Sequence, residues 1–170
     1  MTVDVLTLTH EELPPSINRT HEVQWFRKGN KRMSAIGYSK EAQRWQQHFS
    51  DQVGRAFMRD ITQFVRADKP TDLYEIVIFV TLPVEQFLNK SWLETGKRKA
   101  QTPYKVSDAP NFTKILHDAV STALGRIDDS RFADSSIKKI VGPRAGLEIQ
   151  VIRRNPRDFG IPVAYLEEGE

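Results

Sequence analysis

The chain of 170 residues carries 25 basic and 22 acidic residues and no cysteine. It is long enough to bury a core without staples, and the missing thiols exclude disulfides, thiolate zinc sites and cysteine nucleophiles while fitting a reducing, cytoplasmic setting. Its net charge of +3 is uneven: Asp158 to Glu170 hold four acids and no base, leaving 25 bases against 18 acids elsewhere, a balance that suits either a polyanionic partner or a solvated surface.

The N-terminal stretch has acids where an export signal has bases, and the longest apolar run, "IVIFVTLPV", is too short to span a bilayer, so neither export nor membrane contact is expected. One domain over residues 1–157 followed by an acidic tail, 158–170, is the simplest division. Along it, Val3 to Leu8 alternate apolar and polar, a strand pattern. "PPSINR", residues 14–19, breaks that pattern. From Thr20 to Gly37 the chain is polar, basic and glycine-containing, which predicts a loop or a poorly ordered hairpin. There Trp25 and Phe26 interleave with Arg27, Lys28, Lys31 and Arg32, a composition that serves base stacking and phosphate contacts, or equally a solvated loop with a tucked aromatic.

Ser39 is placed to N-cap a helix from Lys40 to about Arg66, whose Ala42, Trp45, Phe49, Val53, Ala56 and Phe57 fall on one face. "DLYEIVIFVTLP", residues 72–83, has the β-branched and aromatic content of a central strand. Phe87, Leu88, Trp92 and Leu93 suit a short amphipathic helix before the basic loop "GKRKAQTPYK". The clearest helix follows, with Phe112, Ile115, Leu116, Ala119, Val120, Ala123 and Leu124 at helical spacing and Gly125 as its stop. Residues 135–154 read as two strands joined by Gly-Pro-Arg-Ala-Gly, hence a hairpin. The predicted fold is α+β: a small mixed, mainly antiparallel sheet with two main helices packed on it.

"SDAPNFTK" opens the second helix. Asn111, Lys114, Asp118 and Ser121 share the face opposite the apolar stripe, Asp108 precedes the first turn, and Pro110 sits where a helix tolerates proline best. Two readings fit these residues. One is a capped, solvated helix. The other joins Asp108 to Asp128 and Asp129 of "IDDSRFAD", beyond the helix, as carboxylates for a hard divalent cation, with Lys114 set to meet phosphate charge. His10, His21, His48 and His117 form no close ligand pair and read as surface or partly packed side chains; His117 lies nearest the polar face, within reach of a phosphate.

"PPSINR", "YSKEAQRWQQ", "DAPNFTKILHDAV", "IDDSRF" and "IKKIVG…GLEIQVI", in this order over about residues 5–153, resemble the RusA family of Holliday-junction resolvases of bacteria and their phages. The resemblance implies a homodimeric endonuclease in the cytoplasm that resolves four-way or branched DNA in recombination and repair with Mg²⁺, or Mn²⁺ in its place. It implies Asp108 and Asp129 as metal ligands with Asp128 beside them, Lys114 as the essential lysine, Asp118 as an accompanying helix acid, and Asn18 and Asn111 as DNA contacts. Lys97, Arg98 and Lys99, the densest basic cluster, would then guide the DNA backbone. Pro110 departs from the pattern, standing where the signature has a second aspartate. Either Asp118 or Asp128 substitutes, or fewer ligands hold the metal, or the protein binds branched DNA without cutting it.

Overall fold

The computed structural model describes residues 4–16, 20–88, 112–125 and 127–162. Their elements run β1 (Val5–His10), β2 (His21–Lys28), β3 (Lys31–Tyr38), α1 (Lys40–Ala56), α2 (Met58–Arg66), β4 (Leu73–Leu82), a single helical turn at Val84–Phe87, α3 (Thr113–Leu124), β5 (Phe132–Val141) and β6 (Gly146–Arg154). Short 3₁₀ turns at Asp129–Arg131 and Pro156–Phe159 flank the last two strands. The α+β expectation holds: a four-stranded sheet in the order β1-β6-β4-β5 is antiparallel except between β4 and β5, and β2 and β3 form a separate ribbon.

Alternation along the strands builds the core. Register aligns Leu6, Val151 and Ile76 in one row and Leu8, Ile149 and Ile78 in the next, all on the face that the helices cover. Each such side chain contributes roughly 1.5–3 kcal/mol by leaving water. From the helices come Ala42, Trp45, Phe49 and Val53 of α1, Ile61 and Phe64 of α2, and Ile115, Leu116, Ala119 and Val120 of α3. α1 packs along α3 and also touches β1.

Ser39 caps α1 as expected, its hydroxyl accepting from the Ala42 N–H at 3.2 Å. The predicted continuous helix to Arg66 is instead two. Phe57 leaves helical geometry at φ −116°, ψ 20°, and the break lets α2 turn Ile61 and Phe64 into the core beside β1. Residues 21–38 form an ordinary antiparallel ribbon pairing His21 with Tyr38 through to Lys28 with Lys31, where a loop or poorly ordered hairpin was expected. The helix expected around Phe87 to Leu93 is seen as one turn, Val84–Phe87; the rest of it lies outside the described residues.

The expected hairpin over residues 135–154 is corrected. β5 and β6 do not pair, because β4 lies between them, parallel to β5 and antiparallel to β6. A turn signal specifies chain reversal, not partnership, and the most apolar strand takes the centre. The connection arches over the end of β4, with the Gly142 N–H donating to Leu82 O at 3.0 Å. A Cβ on Gly142 would collide with Thr81 Cγ2, so a larger residue there requires the Thr81 side chain to give way. A parallel pair also needs a long crossover. Residues 83–131 supply it, and they lay α3 on the sheet beside β5. No described helix is long and apolar enough to cross a membrane.

Candidate active site

The apolar stripe of α3 faces the core, which leaves Lys114 and Asp118, one turn apart, on its rim. Gly125 ends the helix in the left-handed region, at φ 70°, with its N–H on Ser121 O. Ile127 then dives back into the core, and the Ser121 hydroxyl donates to its carbonyl at 2.9 Å, folding the following turn against the helix. Asp128 caps that turn, its Oδ1 accepting from the Ser130 N–H at 3.0 Å; hydrogen bonds from Ser130 hold its carboxyl below the usual range. The next residue, Asp129, brings its Oδ2 to 4.0 Å from Lys114 Nζ, while Asp118 Oδ1 lies 3.4 Å from the same nitrogen. Two carboxylates from separate segments thus converge on one ammonium.

Arg131 anchors the turn from below. Its guanidinium donates to Asp68 Oδ1 at 2.6 Å, Asp68 Oδ2 at 3.0 Å and Asp72 O at 2.9 Å, and also to Lys69 O. Tyr74 donates to the same Asp68 carboxylate. Burial opposes ionisation of Asp68, but the bonds from Arg131 and Tyr74, with the Arg131 and Arg153 charges, outweigh it and hold its carboxyl below the ordinary range. The carboxylate of Asp129 is therefore carried two residues from a bolted, largely buried arginine.

A third segment enters from β3. Tyr38 Oη donates to Asp118 Oδ2 at 2.5 Å, so Asp118 keeps one oxygen on the tyrosine and turns the other to Lys114. Burial, then the hydrogen bond to Asp118 and the charges of Asp118 and Asp129, push the phenol pKa far up, and Tyr38 stays a donor. Sequence reasoning assigned Tyr38 no role, and no local pattern links it to a helix 80 positions away. His117, read as a surface or partly packed side chain, meets Ser135 Oγ at 2.9 Å with its ring edge-on to Phe132. Burial lowers its pKa against the opposing pull of Asp129 and Asp118. His10 is buried against Trp45 and Phe49.

Of the residues singled out, Lys114, Asp118 and Asp129 are brought together, and Asp128 is turned to its own backbone cap. Asn18, Lys97, Arg98, Lys99, Asp108, Pro110 and Asn111 lie outside the described residues. Among the described residues no three His, Asp or Glu side chains gather as a metal cluster. What they do offer is an all-oxygen pair, Asp118 Oδ1 and Asp129 Oδ2, already sharing a cation. That donor set fits a hard ion such as Mg²⁺, which binds through one or two carboxylates and retains waters.

No curated protein matches the chain. A family model described as endodeoxyribonuclease RusA matches residues 25–152, a span holding every residue of this cluster.

Proposed function

Because this chain belongs to the RusA family of endodeoxyribonucleases, we propose that it resolves Holliday junctions and related branched DNA by metal-assisted hydrolysis of a phosphodiester. The observation that carries the reading is the convergence of Asp118 and Asp129 on Lys114. Asp129 and Asp118, with Asp108, would hold a divalent cation, Mg²⁺ or Mn²⁺. Such an ion would supply neutralisation of phosphate charge and activation of a water for attack. Lys114, mostly exposed, meets a non-bridging phosphate oxygen as charge builds on it, an interaction stronger in the transition state than in the ground state. Tyr38 keeps the Asp118 carboxylate from rotating away. Water oxygen adds to phosphorus and gives up a proton, the bond to the leaving sugar oxygen breaks, and that oxygen takes up a proton in turn. Asp128 supports the turn that presents Asp129. Two copies of the chain, each nicking one strand, account for paired cuts across a four-way junction, with Asn18, Asn111 and the Lys97, Arg98 and Lys99 cluster on the DNA backbone.

A synthetic four-way junction incubated with Mg²⁺ or Mn²⁺ tests this. Wild-type protein is expected to nick it, while Asp108→Asn and Asp129→Asn bind without cutting. Pro110 favours a second reading, a junction-binding protein of the same fold that does not cleave. Tight, junction-selective binding with no nick in either metal selects it.

A further inference from the structure

The β2–β3 ribbon stands apart from the core, and all of β2 is exposed. Trp25 is 61% and Ile36 77% exposed, with Val23, Phe26 and Met33 also outside. Two-stranded ribbons are marginal on their own, and this one is loaded against itself at its tip. Arg27 opposes Arg32 and Lys28 opposes Lys31, two successive like-charge pairs, and Glu22 is the single acid between His21 and Tyr38. Like charges directly across a ladder destabilise it. A polyanion relieves that repulsion, whereas a second copy of the ribbon brings four more cations to it.

Register also fixes what shares a face. Arg27 and Arg32, Trp25 and Ser34, Val23 and Ile36, and finally His21 and Tyr38 lie on the same side in successive rows. The Arg32 guanidinium sits 4.5 Å from the centre of the Trp25 ring. At the root, Tyr38 stacks on His21 and reaches Asp118. One face thus runs from an exposed indole with its cations down to the Asp118, Lys114 and Asp129 cluster. The four residue steps from Ser34 to Tyr38 span roughly 13 Å, or about four nucleotides of a stacked strand at roughly 3.4 Å each.

We propose that the β2–β3 ribbon is a DNA-gripping arm, in which Trp25 stacks a base unpaired at the branch while Arg27 and Arg32 on the same face, with Lys28 and Lys31 at the tip, hold phosphates on the side of Trp25 away from the cluster. This rests on the branched-DNA reading above. Aromatic stacking tolerates any base, so the arm recognises the opened branch and not its sequence.

The test titrates the full chain, without divalent metal so that no strand is cut, against a four-way junction carrying 2-aminopurine at the branch and against a linear duplex. Trp25→Ala is expected to abolish the 2-aminopurine fluorescence change and weaken junction binding at least fivefold, with duplex binding held within twofold. Trp25→Phe recovers most of both. Replacing Arg27, Lys28, Lys31 and Arg32 together with Ala lowers the slope of log affinity against log salt by about two to four on both DNAs. An unchanged urea midpoint certifies each variant as folded. Wild-type junction binding matched in affinity, salt slope and fluorescence by Trp25→Ala and by the fourfold variant overturns the arm while leaving the branched-DNA reading standing. A changed oligomeric state in those variants, with DNA binding intact, reassigns the ribbon to a contact between copies. Wild-type protein with no salt-sensitive binding to either DNA overturns both.

Discussion

Tyr38 Oη donates to Asp118 Oδ2 at 2.5 Å across 80 positions of sequence, joining the root of the exposed ribbon to the charged rim of α3. The bond leaves Asp118 with one oxygen for Lys114 and makes Tyr38 a positioning residue, not a catalytic one. Tyr38→Phe retains the ring that stacks on His21 and removes only the hydroxyl. The expected cost is about 1–2 kcal/mol of stability by urea unfolding, as for a partly buried bond to a charged acceptor. Nicking at saturating junction should fall about tenfold with affinity within threefold. Unchanged nicking would leave the bond a purely structural one.

Lys114 separates stability from activity. Its side chain is 70% exposed, and its ion pairs with Asp118 and Asp129 span 3.4 and 4.0 Å. Exposed pairs of this kind contribute less than about 0.5 kcal/mol. Lys114→Met should therefore move the urea midpoint hardly at all while lowering junction nicking by about 100-fold or more. A large loss of stability with nicking retained is the contrary result.

Asp68 and Arg131 should behave in the opposite way. Their side chains are only 13% and 16% exposed, and removing one takes the charged partner from a largely buried group. Asp68→Asn is expected to cost about 2–4 kcal/mol at neutral pH. Because the folded carboxyl is held below its ordinary value, its contribution is present above the unfolded pKa of about 3.9 and is lost as pH falls through the lower folded value. Unfolding midpoints of the wild type should thus drop more steeply below about pH 4 than those of Asp68→Asn. Parallel acid limbs would show that the pair does not set the acid sensitivity.

Gly142 and Thr81 test the arch over the end of β4. Gly142→Ala drives a methyl into Thr81 Cγ2 and should destabilise by about 1–3 kcal/mol. Thr81→Ser removes the colliding group, and the double variant should regain most of that loss. Additive losses in the four-variant cycle would show that the two sites do not touch.

The course of the chain was legible wherever burial has a local period. The stripe of α3, the alternation of β1 and the apolar run of β4 follow from which neighbouring residues must leave water together, and the Ser39 cap and the Gly125 stop from local hydrogen bonding and glycine's left-handed conformation. The same logic placed Lys114 and Asp118 on a polar rim and, with the order of motifs, suggested the family. Periodicity reports that a face is buried but not what covers it. It could not foresee that β4 would part β5 from β6, since a turn signal records reversal alone. Nor could it show that Asp129 reaches Lys114, that Arg131 anchors that reach on Asp68, or that Tyr38 closes it from the ribbon. Those contacts join segments tens of residues apart, and only the packing of α3 against α1 and the sheet brings them within hydrogen-bonding and ion-pair distance.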